Sequence, residues 1–570
     1  MKKQQILLIL LGMTTIATAQ KKQQVAFIAD AHIQSVLPPN SDALPQAFYN
    51  EETNQYHFIR SLDAQMESTR LFNENHFALL ATLEQLAAQN VHLVVLDGDY
   101  SDDGQQMNID EVQRILAHYS QKYGMRFFMT NGNHEAVNRF DKEAGKSDFM
   151  DQKGNEIGVY SHDSLLKNPN DLVYEGLREK GYETLFSSFA TFGLQPQPQD
   201  LFYTTPFHTF DYENYQYNAS DFSLDQRTYL LNDIRFPDFT YLVEPEKDVW
   251  LLGIDGNMYA QTEAGSFKNI SDGYRFLDQR AYLFSWLKQV ASEAKKRNKT
   301  LLVFSHYPVL DFNNGLSDEL KELLGNNAFQ LSRVPENDLQ QLFLETGIAL
   351  HFAGHMHINQ HGFISNGQHK LWNIQIPSLA AFPPGYKLVT VSKNEIKVET
   401  KPLKDVPDYQ TFFKDYAKSG TSEKYAEALT TENYYDFAKM HLKYLSAHRF
   451  LKDDFNDSKW SVYKTTPLHT FVAQKDQLSA DSQKELQTLQ FTDLMFDLYL
   501  VRNGNDLGIK ELSKKRLHLY HEWNSLIKQQ TTPPNDLERL VVLLQNMIDK
   551  SINTEKLVLK RGRVGFSLDN

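Results

Sequence analysis

Short apolar runs that end in polar residues recur along this chain, separated by stretches of helical periodicity. Val25 to Ala29, Leu93 to Leu96, Met125 to Met129, Thr300 to Phe304 and Ile348 to Phe352 have the length of buried strands. Between the first three, Phe72, His76, Leu79, Leu80, Leu83, Leu86 and Ala87, then Ile109, Val112, Ile115, Leu116 and Tyr119, fall at helical spacing. This βαβαβ order predicts a layered α/β core with mixed central sheets flanked by helices. Phe284, Leu287 and Val290 mark another helix, which ends at Lys295-Lys296-Arg297-Asn298, where basic residues suit the negative end of the helix dipole. Residues 316 to 345 are helical in pattern, with a break at Asn326-Asn327. Tyr241 to Val243 and Val249 to Asp255 predict a strand pair, Trp372 to Ile376 and Lys387 to Val391 edge strands, and Ile396 to Thr400 the strand that closes the core. Residues 141 to 245 are irregular and read as loops and small strands grafted between core elements.

From Asp405 onward the pattern changes. Tyr434, Phe437, Ala438, Leu442 and Leu445, then Leu486, Leu489, Phe496 and Tyr499, then Leu537, Leu540, Val541, Leu544, Met547 and Ile548 predict three helices, with a hairpin across Arg561-Gly562-Arg563 at the end. The expected organisation is a catalytic α/β domain over residues 25–400 and a mainly helical accessory domain over 405–570. The accessory domain carries no ligand cluster, so its expected roles are capping the catalytic face, forming an interface or stabilising the core.

The candidate chemistry sits where the apolar runs stop, the place where α/β sheets deliver ligand groups. Asp30 and His32 follow the first run, alternating so that both lie on one side of an extended strand. Gly98-Asp99 follows the second, Gly132-Asn133-His134-Glu135 the third, His306 the fourth and Gly354-His355-Met356-His357 the fifth. Any one of these is an ordinary turn taken alone. Together they supply carboxylate, amide and imidazole groups, a mixed N/O set suited to a two-metal hydrolytic centre. Met356 is a poor match for hard ions and reads as packing, as does His351 inside its apolar run.

The ordered set Asp-x-His, Gly-Asp, Gly-Asn-His-Glu, an isolated His after a strand and Gly-His-x-His resembles the calcineurin-like metallophosphoesterases, over about residues 25 to 400. The resemblance implies a first metal held by Asp30, His32, Asp99 and His357, and a second by Asp99, Asn133, His306 and His355, with Asp99 bridging. It implies two divalent or mixed-valence ions (Mn, Fe or Zn) and gives His134 the role of contacting the phosphoryl group or protonating the leaving group. Asp102 occupies the position where purple acid phosphatases place an iron-ligating tyrosine, which sets this chain apart from that subgroup. The family also places a loop after Gly-His-x-His at the pocket, which makes Phe382 and Tyr386 candidate substrate contacts.

Composition narrows the setting. Met1-Lys2-Lys3, the apolar run Ile6 to Leu11 and Ala17-Thr18-Ala19-Gln20 have the form of a secretory signal cleaved after Ala19, and the run is too short to span a membrane. Cysteine is absent, which excludes disulfides and thiol chemistry. Export to a bacterial periplasm or exterior is the expectation. A formal charge of -14 with no long basic run argues against a nucleic-acid-binding surface. The expected substrate is a small phosphate ester, a diester in preference to a monoester because the purple-acid tyrosine is absent and no multi-arginine phosphate site is evident in the sequence. Arg70 is expected to pair with a carboxylate or lie on the surface. A metal-stabilised carbohydrate- or peptide-binding module, using the aromatic stretch 202–218, is the reading from a different class. The sequence does not indicate an oligomeric state.

Overall fold

Two seven-stranded sheets face each other and carry the candidate residues between their ends. The computed structural model describes residues 22–38, 48–51, 53–263, 265–271, 273–274, 277–551, 553–562 and 565–568. The expected secretory segment and its cleavage site, and half of residues 35–54, lie outside the described residues. In the first sheet Gln23–Ile28, Leu93–Asp97 and Arg126–Thr130 run parallel, in register Val25 to Leu93 and Leu93 to Arg126. In the second, Val249–Gly253, Thr300–Phe304, Leu350–Ala353 and Lys370–Gln375 run parallel. The sheets meet through stacked rings, Phe27 on Phe352 at 4.0 Å between centroids and Phe27 edge-on to Phe304 at 6.2 Å. Helices Asn75–Ala88 and Gln106–Tyr123 connect the first three strands, and Ala281–Lys296 leads into Thr300–Phe304. The α/β architecture of mixed sheets and flanking helices, with a mainly helical C-terminal region, is therefore the one the periodicity predicts.

Two expected edge strands are interior. Lys370–Gln375 lies between Leu350–Ala353 and the true edge, His361–Ser365, whose exposed alternate residues and early glycine hid it. Gly385–Val391 lies between Gln23–Ile28 and Glu395–Pro402, and its almost continuous burial follows from being covered on both faces. Glu395–Pro402 is not the end of its sheet either. Lys556–Gly562, from the extreme C-terminal part of the chain, pairs with it antiparallel, so the terminal hairpin extends the catalytic sheet.

The C-terminal region holds Tyr434–Leu445, Ala480–Thr488, Phe491–Gly504, Lys514–Gln529 and Asp536–Asp549. The second expected helix is divided at Gln490, which caps Phe491–Gly504 in a reciprocal box with Asp493. Lys514–Gln529 escaped notice because charged residues interrupt its buried face of Leu519, Tyr520, Trp523 and Ile527. This region shares a core with the sheets: Tyr416 donates to Glu74 at 2.6 Å and Tyr434 to the Leu379 carbonyl at 2.7 Å, all four buried.

Candidate metal centre

All eight candidate residues converge at the ends of the parallel strands. They sit in loops just past the strands, so Asp30 and His32 are brought together by local backbone geometry, not by the alternation of an extended strand. Asp30, His32, Asp99, His355 and His357 all have φ between 45° and 70°, a region that costs a non-glycine residue on the order of 1 kcal/mol or more. Such strain persists only where the surroundings fix it. His32 N donates to the Asp99 carbonyl at 2.8 Å, and Asn75 Nδ2 donates to both the Ala31 and His32 carbonyls at 2.6 Å. Gly354, expected as the turning residue, has no positive φ; the histidines on either side of Met356 make the turn. Its glycine is needed for room, since a Cβ there would stand 2.5 Å from Asp30 Oδ2.

The ligand atoms fall into two groups joined by one carboxylate. Asp30, His32 and His357 form one, with His357 Nε2 3.2 Å from His32 Nε2 and 3.4 Å from Asp30 Oδ1. Asp99, His306 and His355 form the other, with His306 Nε2 3.1 Å from Asp99 Oδ2, and 3.2 Å from both His355 Nδ1 and Asn133 Oδ1. Asp99 Oδ2 also faces His32 Nε2 at 3.8 Å, while its Oδ1 accepts the His134 backbone N–H at 2.9 Å.

These residues fit cations. His306 Nδ1 must donate to the Asp97 carbonyl and His357 Nδ1 to the Thr69 carbonyl, so in the neutral rings each Nε2 lone pair points at carboxylate or amide oxygens, an arrangement that only a proton or a metal cation relieves. Electron-pair donors thus face one another in a buried space. Burial opposes a charge on His306, yet the Asp99 carboxylate beside it pulls the imidazole up to about 10. Burial likewise works against the Asp99 anion, and His306 and His134 outweigh it, holding this carboxyl well below its usual range. The cluster thus binds positive charge. His/Asp clusters of this kind form a binuclear divalent-metal site.

His134 belongs to neither of these groups but adjoins the first, with Asp102 and His32 within 4.8 Å. Its Nδ1 donates to Asp103, whose other oxygen is taken by Lys146, and its Nε2 is 3.9 Å from Asp99 Oδ2 at the cavity wall. Burial lowers its pKa, ahead of the opposing pull of Asp99. Asp103 and Lys146 were not anticipated, because nothing in the acidic loop distinguishes Asp103 from its neighbours and Lys146 comes from a distant strand. Glu135 was noted only as part of a motif. Its fully buried carboxylate accepts from the backbone N–H of Asp99, Ser101 and Gly132 at 2.8 to 3.0 Å and from Ser101 Oγ, tying the bridging loop to the Asn133 loop. Asp102 receives Arg60 Nη1 at 3.0 Å and Arg70 Nε at 2.9 Å, which is the carboxylate pairing expected of Arg70. Asp255, at the end of its strand run, accepts from Tyr182 Oη and from the backbone N–H of Phe239 and Asn257.

The centre opens on a cavity of about 240 Å³. His32, Asp99, Asn133, His134, His355 and His357 line its floor, and Phe382, unlike Tyr386, reaches it. The helical region supplies the opposite wall through His441, Leu442, Leu445, Arg449, Phe450, Arg502 and Asn503. With Arg70 and Arg333, four guanidinium groups reach one cavity from distant parts of the sequence, so the expected absence of a multi-arginine site does not hold. Their spacing in sequence, from residue 70 to residue 502, concealed them.

A model of the family described as calcineurin-like phosphoesterase matches residues 24–359, more than half of the chain. No curated protein sequence matches. Similar solved structures include a dimetal phosphatase from Danio rerio, 13% identical, covering 67% of this chain and 96% of that one with a TM-score of 0.29. They also include GAP50, the anchor in the inner membrane complex of Plasmodium, 12% identical over 67% and 85% of the two chains with a TM-score of 0.27. PhoD is 10% identical over 68% and 66%, with a TM-score of 0.27. The family match spans the segment in which every strand-end residue of the centre lies, and the chain belongs to the calcineurin-like phosphoesterases, as a metal-dependent enzyme.

Proposed function

We propose that this phosphoesterase hydrolyses small, highly charged phosphate esters, monoesters in preference to diesters, and that it is exported. The observation that carries the substrate reading is the arginine-lined cavity over the metal centre, closed on one side by the helical region. The sequence favours a diester on two grounds, the absence of such arginines and the absence of the purple-acid tyrosine, and the cavity removes the first. A monoester dianion gains more than a diester monoanion from a cationic wall, and a compact cavity suits one substituent better than two.

Asp30, His32, Asp99 and His357 would hold one ion, and Asp99, Asn133, His306 and His355 the other. When bound, the ions supply positive charge to the phosphoryl oxygens and acidify the attacking water. Asp99 sets their common position, and Glu135 fixes Asp99 through its backbone. Asp103 fixes the His134 tautomer, so that Nε2 is the nitrogen presented to the cavity. A phosphate dianion beside that nitrogen favours the imidazolium, which donates its proton toward a phosphoryl oxygen or the leaving oxygen.

The discriminating experiment compares nitrophenyl phosphate with bis(nitrophenyl) phosphate on the metal-loaded protein. A higher kcat/KM for the monoester supports the reading, and a higher value for the diester overturns it. Export rests on residues 1–20 and is tested by determining the N-terminus of the protein recovered from its host, expected at Gln20.

A further inference from the structure

The wall facing the metal centre is itself built as a binding site. Arg502 is only 6% exposed, on the last turn of Phe491–Gly504. Its Nη1 donates to Asn503 Oδ1 at 3.1 Å, its Nη2 donates to the Phe329 carbonyl at 2.8 Å, and its Nε is buried with no hydrogen-bond partner. Both acceptors are neutral. The carboxylate of Asp454 acts on Arg502 only at longer range, being itself taken by the Tyr499 hydroxyl. Burying a guanidinium with so little compensation is costly unless an anion completes its surroundings.

The opposing segment is shaped to match. Phe329 and Gln330 adopt φ of 53° and 55°, a conformation unfavourable for either residue, and Phe329 stacks on Tyr499 at 4.6 Å beneath the Arg502 guanidinium. This turn brings Gln330 and Arg333 to the cavity. Arg333 lines the same cavity as Arg502 and His355, and lies close enough to Arg502 to disfavour its charge. Arg449, partly exposed, donates through Nη1 to the Glu67 carbonyl at 2.9 Å and has Nε 3.5 Å from Asp453 Oδ2, an ion pair at the solvent side of the same cavity. Like charges held together around a polar cavity indicate an anion between them.

We propose that Arg333, Arg449 and Arg502 bind a second anionic group of the substrate, so that the preferred esters carry a further phosphate or carboxylate beyond the phosphate at the metal centre. The inference rests on the phosphoesterase reading and deepens it. A structural reading exists for Arg502, since a cation at a helix C-terminus is favourable and its contacts join the helix to the Phe329 turn. That reading explains neither the Nε without a partner nor the convergence of Arg333 and Arg449.

The test is calorimetric titration of the metal-loaded, full-length protein with propylphosphonate, propane-1,3-bisphosphonate and 3-phosphonopropionate. Each ligand with two anionic groups should bind about tenfold to a hundredfold more tightly than propylphosphonate, the scale of one or two charge-assisted hydrogen bonds. R502Q should remove most of that advantage and R502K should retain part of it. R449Q, at a partly exposed site that spares the fold, should reduce it as well. An advantage confined to the bisphosphonate assigns the site to a second phosphate; one shared by the carboxylate assigns it to anions generally. Equal affinities for all three ligands, or an advantage that survives R449Q together with R333Q, would overturn the proposal. Hydrolysis of simple esters without a two-anion advantage sinks this inference alone. The advantage without hydrolysis of any phosphate ester sinks the phosphoesterase reading alone.

Discussion

Replacing Glu135 by Gln isolates the part of the centre that neither binds metal nor touches substrate. The change keeps the shape of the side chain and turns one of its two oxygens into an NH2 group. Oε2 accepts from Asp99 N and Gly132 N, and Oε1 from Ser101 N and Ser101 Oγ; the nitrogen is best placed at the Oε1 position, where the Ser101 hydroxyl can turn to accept from it but the Ser101 N–H loses its acceptor. The site is fully buried, and water cannot replace the lost bonds. One unpaired buried donor costs about 1–3 kcal/mol, which is the destabilisation expected. The loops that separate are those bearing Asp99 and Asn133, so metal affinity should fall by about 10–100-fold, the usual effect of removing a group that orients metal ligands. Chemical denaturation of the metal-free protein at pH 8 measures the first effect, and competition with a chromogenic chelator the second. A denaturation midpoint within error of the parent protein, together with unaltered metal affinity, would refute the account of how the two loops are tied.

Asp99→Asn removes the charge shared by both ligand groups. It should lower metal occupancy and reduce activity by at least about a hundredfold, whereas full occupancy with parental turnover would disprove the bridging assignment. His134→Ala should leave metal content intact and lower kcat/KM by roughly 10²–10⁴ on an ester with a poor leaving group. The loss should shrink with nitrophenolate if proton donation is the main task, and disappearance of one metal equivalent would make His134 a ligand or its support. For His306, held up to about 10 in the metal-free protein against 6.5 when unfolded, protonation contributes stability that is fully present below pH 6.5 and is lost as pH rises through about 10. A metal ion must displace that proton, so below pH 10 apparent affinity should rise about tenfold per pH unit from this group, with a proton released that calorimetry in buffers of different ionisation enthalpy detects. Uptake without proton release would contradict the assignment.

The core was legible in the sequence because buried parallel strands write themselves as short uninterrupted apolar runs, and their ends are marked by polar residues that have no reason to lie in a core. That is why Asp30, His32, Asp99, Asn133, His134, His306, His355 and His357 stand out in the sequence by type and order, while their division between two ions and the role of His134 come from the resemblance to the family. The local reason was less legible. Alternation along a strand seemed to bring Asp30 and His32 together, but the strand has ended at Ile28 and two positive-φ residues do it instead. Backbone strain leaves no trace in composition unless glycine relieves it, and here aspartate and histidine bear it. The supporting residues were harder still. Glu135, Asp103 and Lys146 act through hydrogen bonds whose partners lie between 3 and 43 positions away, and a charged residue in a polar loop has no periodicity to betray it.

What the sequence concealed most fully was the wall opposite the metals, and the concealment bears on how charge is read. A net charge of -14 suggests that the molecule repels a polyanionic substrate. That repulsion is a property of exposed groups acting through solvent, and at physiological ionic strength it is screened over about 8 Å. Arg502 is buried and sits within the cavity wall, where screening is weak and an approaching anion meets it at contact distance. The two halves of the cavity have opposite needs. The floor gathers carboxylate and imidazole groups whose unshared pairs require cations; the wall presents the buried Arg502 guanidinium, whose Nε has no hydrogen-bond partner. A phosphate ester placed between them, with cations beneath it, satisfies both at once. It does so only while the helical region stays packed on the sheets, because Arg449 and Arg502 belong to that region and the floor does not. The shared core, through the Tyr416 to Glu74 and Tyr434 to Leu379 hydrogen bonds and the strand Lys556–Gly562, therefore does more than add stability: it holds the wall at a fixed distance from the metals.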